Sequence, residues 1–241
     1  MQKISAKKKI KPVPKKHLPK GLTIIYEDID IIIINKESGL LSLAAPYESE
    51  ETAHQRLTTY VRRGNKKSTK NLFVVHRIDR DTSGILIFAK SLKAKNNLEK
   101  QWPNIRKRYA AVVHGVPANK TGTITSFLTQ NKNYHVSSTK NEREGTLAKT
   151  KYKVLQNNHD FSLIEIKLLT GKKNQIRVHF KELGHPLVGD TKYGIPDGEK
   201  KLRLHAHKII FKHPHSGDIL KFEAPMPAYF LKGFLANQKN K

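Results

Sequence analysis

From Leu22 onward the chain alternates apolar and polar residues in short pieces, and a period of two rather than 3.6 commits most of it to strands. Thr23 to Tyr26, Ile31 to Asn35, Tyr109 to Val113, Leu147 to Leu155 and Phe161 to Leu168 read this way. Lys208 to Lys212 and Ile219 to Phe222 read as a hairpin joined through Ser216-Gly217-Asp218. Helical spacing is rarer. Ala53, Leu57, Tyr60 and Val61 share one helix face, with Gly64 placed to end it. Ser91 is placed to cap a second helix reaching about Gln101 before Pro103. Ile176, Phe180 and Leu183, followed by Gly184, make a third. The fold class expected is α+β with a largely antiparallel sheet.

At 241 residues the chain fits one large domain with short appendages. Residues 1–20 hold eight lysines, three prolines and no acid, a composition that buries too little apolar surface to offset the entropy of ordering. They are read as a basic arm, 21–230 as the folded body and 231–241 as a basic tail. A net charge of +26 makes a polyanion the first partner to consider, nucleic acid ahead of an anionic membrane surface. The absence of cysteine excludes disulfides, iron–sulfur clusters, cysteine zinc sites and thiol nucleophiles. The aliphatic runs Ile31 to Ile34 and Ile85 to Ala89 fall far short of the roughly 20 residues of a membrane span. The basic amino terminus lacks the apolar stretch of a secretory signal, so a cytoplasmic location is expected.

Two segments carry chemistry. His76-Arg77-Ile78-Asp79-Arg80-Asp81-Thr82-Ser83-Gly84 lies as a polar loop between the apolar pieces Leu72 to Val75 and Ile85 to Ala89. Counted as a calcium loop from Asp79, its twelfth position is Lys90 where a glutamate is required, which rejects that reading. Aspartates in such a loop are ordinarily turn formers. Here Arg77 and Arg80 flank them, and opposite charge favours the ionised form of a carboxylate. The second segment, Leu169 to His179, contains Gly171-Lys172 but has neither the earlier glycine nor the following Ser or Thr of a phosphate loop. Asn174 is expected to cap a helix from Gln175 and to aim its free N–H groups, with Arg177, at an anion. His205/His207 and His213/His215 each place two imidazoles on one strand face, but nothing nearby completes a metal site.

In this order the segments resemble the RluA-type pseudouridine synthases from about Leu22 to Pro227. Tyr26 to Ser42 looks like the opening strand and Lys-Pro-x-Gly turn of that family, with Glu37 in place of proline. His76 to Gly84 matches its signature loop, and Lys107-Arg108-Tyr109 resembles the strand that brings the active-site tyrosine. Thr170 to His179 resembles the motif Thr-Gly-Arg-Thr-His-Gln-Ile-Arg-Val-His, with Lys172 for arginine and Asn174 for histidine. Gly184 to Asp190 and Leu204 to Pro227 also fit. The resemblance implies the pseudouridine synthase catalytic fold, a twisted, mostly antiparallel sheet with peripheral helices and a central cleft. It also implies an isomerase acting on structured RNA, ribosomal or transfer, that works as a monomer without cofactor or metal.

By the same resemblance Asp79 is the catalytic carboxylate, Tyr109 the active-site tyrosine and Arg177 the cation held beside Asp79. Arg77 is expected to fill the gap left by the extruded uridine, with Lys107, Gln175 and Ile176 as further substrate contacts, Gln175 offering its amide to the uracil edge. Two routes stay open: covalent addition of Asp79 to sugar or base, and removal of a sugar proton to give a glycal. Two other classes compete, a non-catalytic RNA-binding or ribosome-assembly factor with the same fold and a metal-dependent nuclease. The joint presence of Asp79, Tyr109 and Arg177 argues against the first, and the lack of an acidic metal cluster against the second.

Overall fold

The structure, a computed structural model, describes residues 18–44 and 51–232. The expected basic arm, apart from 18–20, and the tail, apart from 231 and 232, lie outside the described residues. In chain order come β1 (Leu22–Glu27), β2 (Ile31–Lys36), α1 (Ala53–Val61), β3 (Phe73–Val74), β4 (Ser83–Ala89) and α2 (Leu92–Gln101). Then follow β5 (Arg106–His114), β6 (Thr121–Gln130), β7 (Val136–Thr139), β8 (Thr146–Asn157), β9 (Phe161–Leu168), α3 (Gln175–Glu182), β10 (Leu204–Lys212) and β11 (Ile219–Glu223).

All the strands join one sheet in the order β1-β2-β4-β10-β5-β9-β8-β6-β7, with β3 on β4 and β11 on β10. Every pairing of named strands is antiparallel except β4 with β10. That parallel contact is very close. A Cβ on Gly84 would lie 2.4 Å from the Ala206 carbonyl oxygen, and the residue holds φ +114°, so glycine is required where the signature loop enters β4.

The two aliphatic runs belong to central strands covered on both faces, which is why they lack alternation. Ile32, Ile34, Leu86 and Phe88 pack beneath Ala53, Leu57 and Tyr60 of α1. Ile31, Ile33, Ile85 and Ile87 face the other way, onto Ala94 and Leu98 of α2 and onto Ile209 and Phe211. Each such side chain contributes roughly 1.5–3 kcal/mol by leaving water. In the other half of the sheet Ala111, Val113, Ile164 and Ile166 pack on Ile176 and Phe180 of α3. Tyr109 touches the cores under α1 and under α3, and so stands where the two halves meet.

Local chemistry sets the helix starts. Thr52 and Gln55 form a reciprocal capping box at α1, and Ser91 Oγ accepts from the Ala94 amide at 3.1 Å at α2. α3 departs from expectation. Asn174 occupies the left-handed region at φ 52° and its side chain makes no capping bond. That backbone directs the amide away from the free N–H groups of the helix and across to the signature loop.

Candidate active site

The signature loop between β3 and β4 is held by its backbone. Ser42 Oγ donates to the Ile78 carbonyl at 2.7 Å, and Ser38 Oγ donates to the Asp81 carbonyl at 2.7 Å. Lys36 is fully buried at the end of β2, and its ammonium donates to the carbonyls of Glu37 at 2.9 Å, Leu40 at 2.7 Å and Arg80 at 2.8 Å. Burial pulls Lys36 down to about 7 against the opposing charges of Asp81 and Asp79. Three acceptors for three N–H groups is the geometry of the charged form. The Lys36 to Ser42 turn is thereby fastened to the loop that presents Asp79.

Asp79 lines an open pocket of about 360 Å³ together with Arg77, Tyr109, Asn174, Ile176, Arg177 and Leu204. Its side chain remains 27% exposed. Asn174 Nδ2 donates to Asp79 Oδ2 at 2.7 Å, and Arg177 Nη1 reaches the same oxygen at 3.5 Å. The principal partner of Arg177 is another acid. Nε and Nη2 donate to the two oxygens of Asp190 at 2.8 and 2.7 Å in a bidentate pair, with Asp190 fully buried. Burial opposes the Arg177 charge, but the hydrogen bonds and charge of Asp190, with the charge of Asp79, hold the guanidinium above its ordinary value. The face of the guanidinium lies 5.2 Å from the Tyr193 ring.

Tyr193 closes the network. Its hydroxyl donates to Asn174 Oδ1 at 3.3 Å and accepts from the Val136 amide at 3.0 Å. Asn174 is therefore gripped on its oxygen side while its amide holds Asp79. Asn174 as a partner of Asp79, Asp190 and Tyr193 were all missed by sequence reasoning. The available signal was the Gly184 to Asp190 segment, which carries a lone acid thirteen residues after Arg177.

The structure brings Arg77, Asp79, Tyr109, Ile176 and Arg177 to one pocket, with Arg77 exposed and Ile176 buried in the core beneath α3. Burial, then the negative charge of Asp79, pushes the Tyr109 hydroxyl well above its ordinary value, so it carries its proton at neutral pH.

Two expected substrate contacts need correction. Gln175 lines the pocket, but its amide is spent within the fold. Oε1 accepts from Thr170 Oγ1 at 2.8 Å and the Lys172 amide at 3.0 Å, while Nε2 donates to the Lys149 carbonyl at 3.1 Å and Thr150 Oγ1 at 2.8 Å. No donor or lone pair is left for a uracil edge, and the side chain shapes the 170–175 turn instead. Lys107 is not among the residues lining the pocket. Its ammonium sits 4.7 Å from the centre of the Trp102 ring, which also stacks on His76 at 4.5 Å.

Of the two histidine pairs only His205/His207 lies on a strand, with protein partners; His213 and His215 lie in the turn after β10, where His213 groups with Asp28 and Asp30, their ligand atoms within 4.8 Å of one another. His205 meets Ser83 Oγ at 2.9 Å and the Ala224 carbonyl at 3.3 Å, and His207 meets that same carbonyl at 2.8 Å. His213 Nε2 donates to Asp28 at 2.9 Å, and its Nδ1 accepts from the amides of His215 and Ser216.

The chain is similar to known proteins. The family model of RNA pseudouridylate synthases matches residues 30–182. An uncharacterized RNA pseudouridine synthase of Bacillus subtilis, YlyB, is 38% identical over 217 residues, covering 87% of this chain and 70% of that protein. The ribosomal large subunit pseudouridine synthase D of Neisseria meningitidis serogroup A is 34% identical over 225 residues, covering 87% of this chain and 59% of its own length. The structure of human RNA pseudouridylate synthase domain containing 4 superposes with a TM-score of 0.72 at 21% identity, covering 86% of this chain and 90% of that one, a likeness of fold. With the signature loop, the tyrosine strand and the Arg177 helix meeting at one pocket, the chain belongs to the RluA-type RNA pseudouridine synthases, isomerases of uridine in RNA.

Proposed function

We propose that this protein isomerises particular uridines in structured RNA through Asp79, acting as a single chain without metal or cofactor. One observation carries the reading. The Asp79 carboxylate is fixed by Asn174 and Arg177 at the wall of a pocket whose lining includes Tyr109 and the apolar Ile176 and Leu204. A flat base fits between such surfaces.

The target uridine is first extruded from its stack at a cost of a few kcal/mol. Arg77, exposed at the pocket, takes the vacated place, where a planar cation stacks on bases and binds phosphate. Asp79 then acts on the nucleotide, by covalent addition or by taking a sugar proton. The bond from C1′ of the ribose to N1 of uracil breaks, the base turns while still bound, and C5 joins C1′. C5 loses its proton and N1 gains one, so composition is unchanged and no redox partner is needed. The Tyr109 hydroxyl, protonated at rest, serves as a relay: it accepts the C5 proton as it passes its own to water in the open pocket, and N1 takes its proton from water.

The name of the Neisseria relative makes large-subunit ribosomal RNA the first substrate to test, with transfer RNA second. The experiment maps pseudouridine in total RNA from cells carrying the gene, lacking it, or carrying Asp79→Asn. The reading expects a few positions that vanish both without the gene and with Asp79→Asn, while the purified variant keeps its fold and RNA affinity. A map identical in all three strains would refute it. RNA cleavage that stops on adding chelator would favour a nuclease instead.

A further inference from the structure

A second groove, of about 410 Å³, runs beside the catalytic pocket and shares Lys172 and Lys173 with it. One wall is the β6–β7 hairpin, through Gln130 and Val136, and the other is the turn carrying Arg143. Glu144 also lines the groove, but its carboxylate accepts from the Asn141 side-chain amide at 2.7 Å. That bond leaves the carboxylate its charge, but the three cations Lys172, Lys173 and Arg143 outweigh it, and the groove suits a phosphate rather than a cation.

Beside Lys173 stands Tyr134 at the tip of the hairpin. It is 68% exposed, an unusual position for a tyrosine ring on a polar turn. Its backbone lies in the left-handed region at φ 57°, uncommon for a bulky residue. The tip is nevertheless tightly built. Asn131 Oδ1 accepts from the amides of Asn133 and His135, the Tyr134 amide donates to the Asn131 carbonyl at 3.0 Å, and Lys192 Nζ donates to the Tyr134 carbonyl at 3.2 Å. The fold thus spends backbone strain and several hydrogen bonds on presenting an aromatic face to solvent. The Lys173 ammonium lies 5.1 Å from the centre of that ring. Burial and the charges of Lys192 and Arg77 pull Lys173 below its ordinary value, opposed by Asp79, so an incoming phosphate would relieve a crowd of cations.

The tip is also wired to the chemistry. His135 stacks on Tyr193 at 4.9 Å, and the next amide, Val136, donates to the Tyr193 hydroxyl that holds Asn174 against Asp79.

We propose that this groove is a second nucleotide subsite, in which Tyr134 stacks a base adjacent to the extruded uridine while Lys173 and Arg143 hold the intervening phosphate. The proposal rests on the synthase reading for the identity of the first nucleotide. An aromatic platform next to a basic groove is how proteins hold single-stranded nucleic acid without demanding a sequence. Engagement of this neighbour would steady the Tyr193–Asn174–Asp79 chain.

The test uses seven-nucleotide oligouridylates with 2-aminopurine immediately 5′ or immediately 3′ of the central uridine, read by fluorescence with the full-length protein. Stacking quenches one of the two probes with wild type and with Tyr134→Phe. Tyr134→Ala abolishes the quench and weakens binding about 5- to 150-fold. Arg143→Ala weakens binding and flattens its salt dependence. An abasic residue at the quenched position removes the difference between wild type and Tyr134→Ala. Absence of quenching by wild type in both probes, or equal quenching and affinity with Tyr134→Ala, overturns the subsite. The two readings fail separately: the RNA map tests Asp79-dependent isomerisation, so a lost subsite with intact isomerisation leaves the synthase standing. Quenching without any Asp79-dependent pseudouridine leaves only a nucleic-acid groove.

Discussion

Asn174 donates its side-chain amide to Asp79 at 2.7 Å, closer than the 3.5 Å approach of Arg177 to the same oxygen. The neutral side chain therefore sets the direction of the carboxylate, and the cation supplies the field. This divides a task that a guanidinium alone could perform only with a shorter contact. Asn174→Ala is expected to keep the fold and RNA affinity while lowering turnover about 10- to 100-fold, the scale for a misplaced reacting group. Asn174→Asp keeps the shape but sets two carboxylates against each other, so that they share one proton. Its acid limb in a rate–pH profile should move to higher pH. Equal turnover in both variants and wild type would remove Asn174 from the positioning of Asp79.

The same logic makes Asp190 indispensable to Arg177. Asp190→Ala leaves a guanidinium that is 6% exposed without its bidentate partner, and breaking one side of a buried pair costs about 3–5 kcal/mol. The urea midpoint should fall accordingly. Arg177→Met combined with Asp190→Leu removes both charges and is expected to recover only part of that stability, because packing can replace the ion pair while the amides of Lys192 and Tyr193, which also donate to Asp190 Oδ1, lose their acceptor. Activity should stay lost, since the cation that hydrogen-bonds Asp79 is then gone. Recovery of turnover in the double variant would show that Arg177 serves stability alone.

How much of this was legible follows from the residues. Strands with one buried face announce themselves by alternation, and Thr121–Gln130 escaped notice because threonine, serine and glutamine fill it and few of its side chains are fully buried. The short partner strand Val136–Thr139 was hidden for the same reason. The pocket was readable because its groups sit in local motifs: Asp79 in its loop, Tyr109 at a strand, Arg177 in the first turns of α3. The relation among Asn174, Asp190 and Tyr193 was not, because it depends on a positive φ and on a turn that returns to α3, and neither leaves a spacing in the chain. Gln175 and Lys107 were misassigned because a motif position states which residue is present, while only the structure states whether its hydrogen bonds are already spent.

Three histidines make the fold acid-sensitive. Burial, and for His76 the nearby charge of Lys107, lowers His76 to about 3; burial lowers His179 to about 4, and His205 to about 4 despite the Ala224 carbonyl. His76 Nε2 accepts the Ile87 amide at 3.1 Å, a bond the imidazolium cannot make. Each folded value lies below the unfolded one near 6.5, so the unfolded chain binds the extra proton between the two. Their stabilisation is complete above about pH 6.5 and declines toward pH 4, and toward pH 3 for His76, by up to about 1.4 kcal/mol per pH unit each. Urea midpoints should fall steadily from pH 7 to pH 5, and His179→Asn should reduce the slope by about one proton. A flat profile over that range would show these imidazoles charged within the fold.

Lys36 tests whether the signature loop needs its tether. Lys36→Met retains the length and apolar stem but leaves the carbonyls of Glu37, Leu40 and Arg80 without the ammonium that joins them. Losing donors to buried acceptors costs roughly 2–4 kcal/mol, and the loss falls on the loop that presents Asp79. Turnover should therefore drop in conditions where circular dichroism and the urea midpoint still report a folded protein, with RNA affinity changed far less. Lys36→Arg should not rescue it, because a planar fork cannot place three N–H groups on carbonyls arranged around a tetrahedral ammonium. Full activity in either variant would mean that β4 and the Ser42–Ile78 contacts hold Asp79 by themselves.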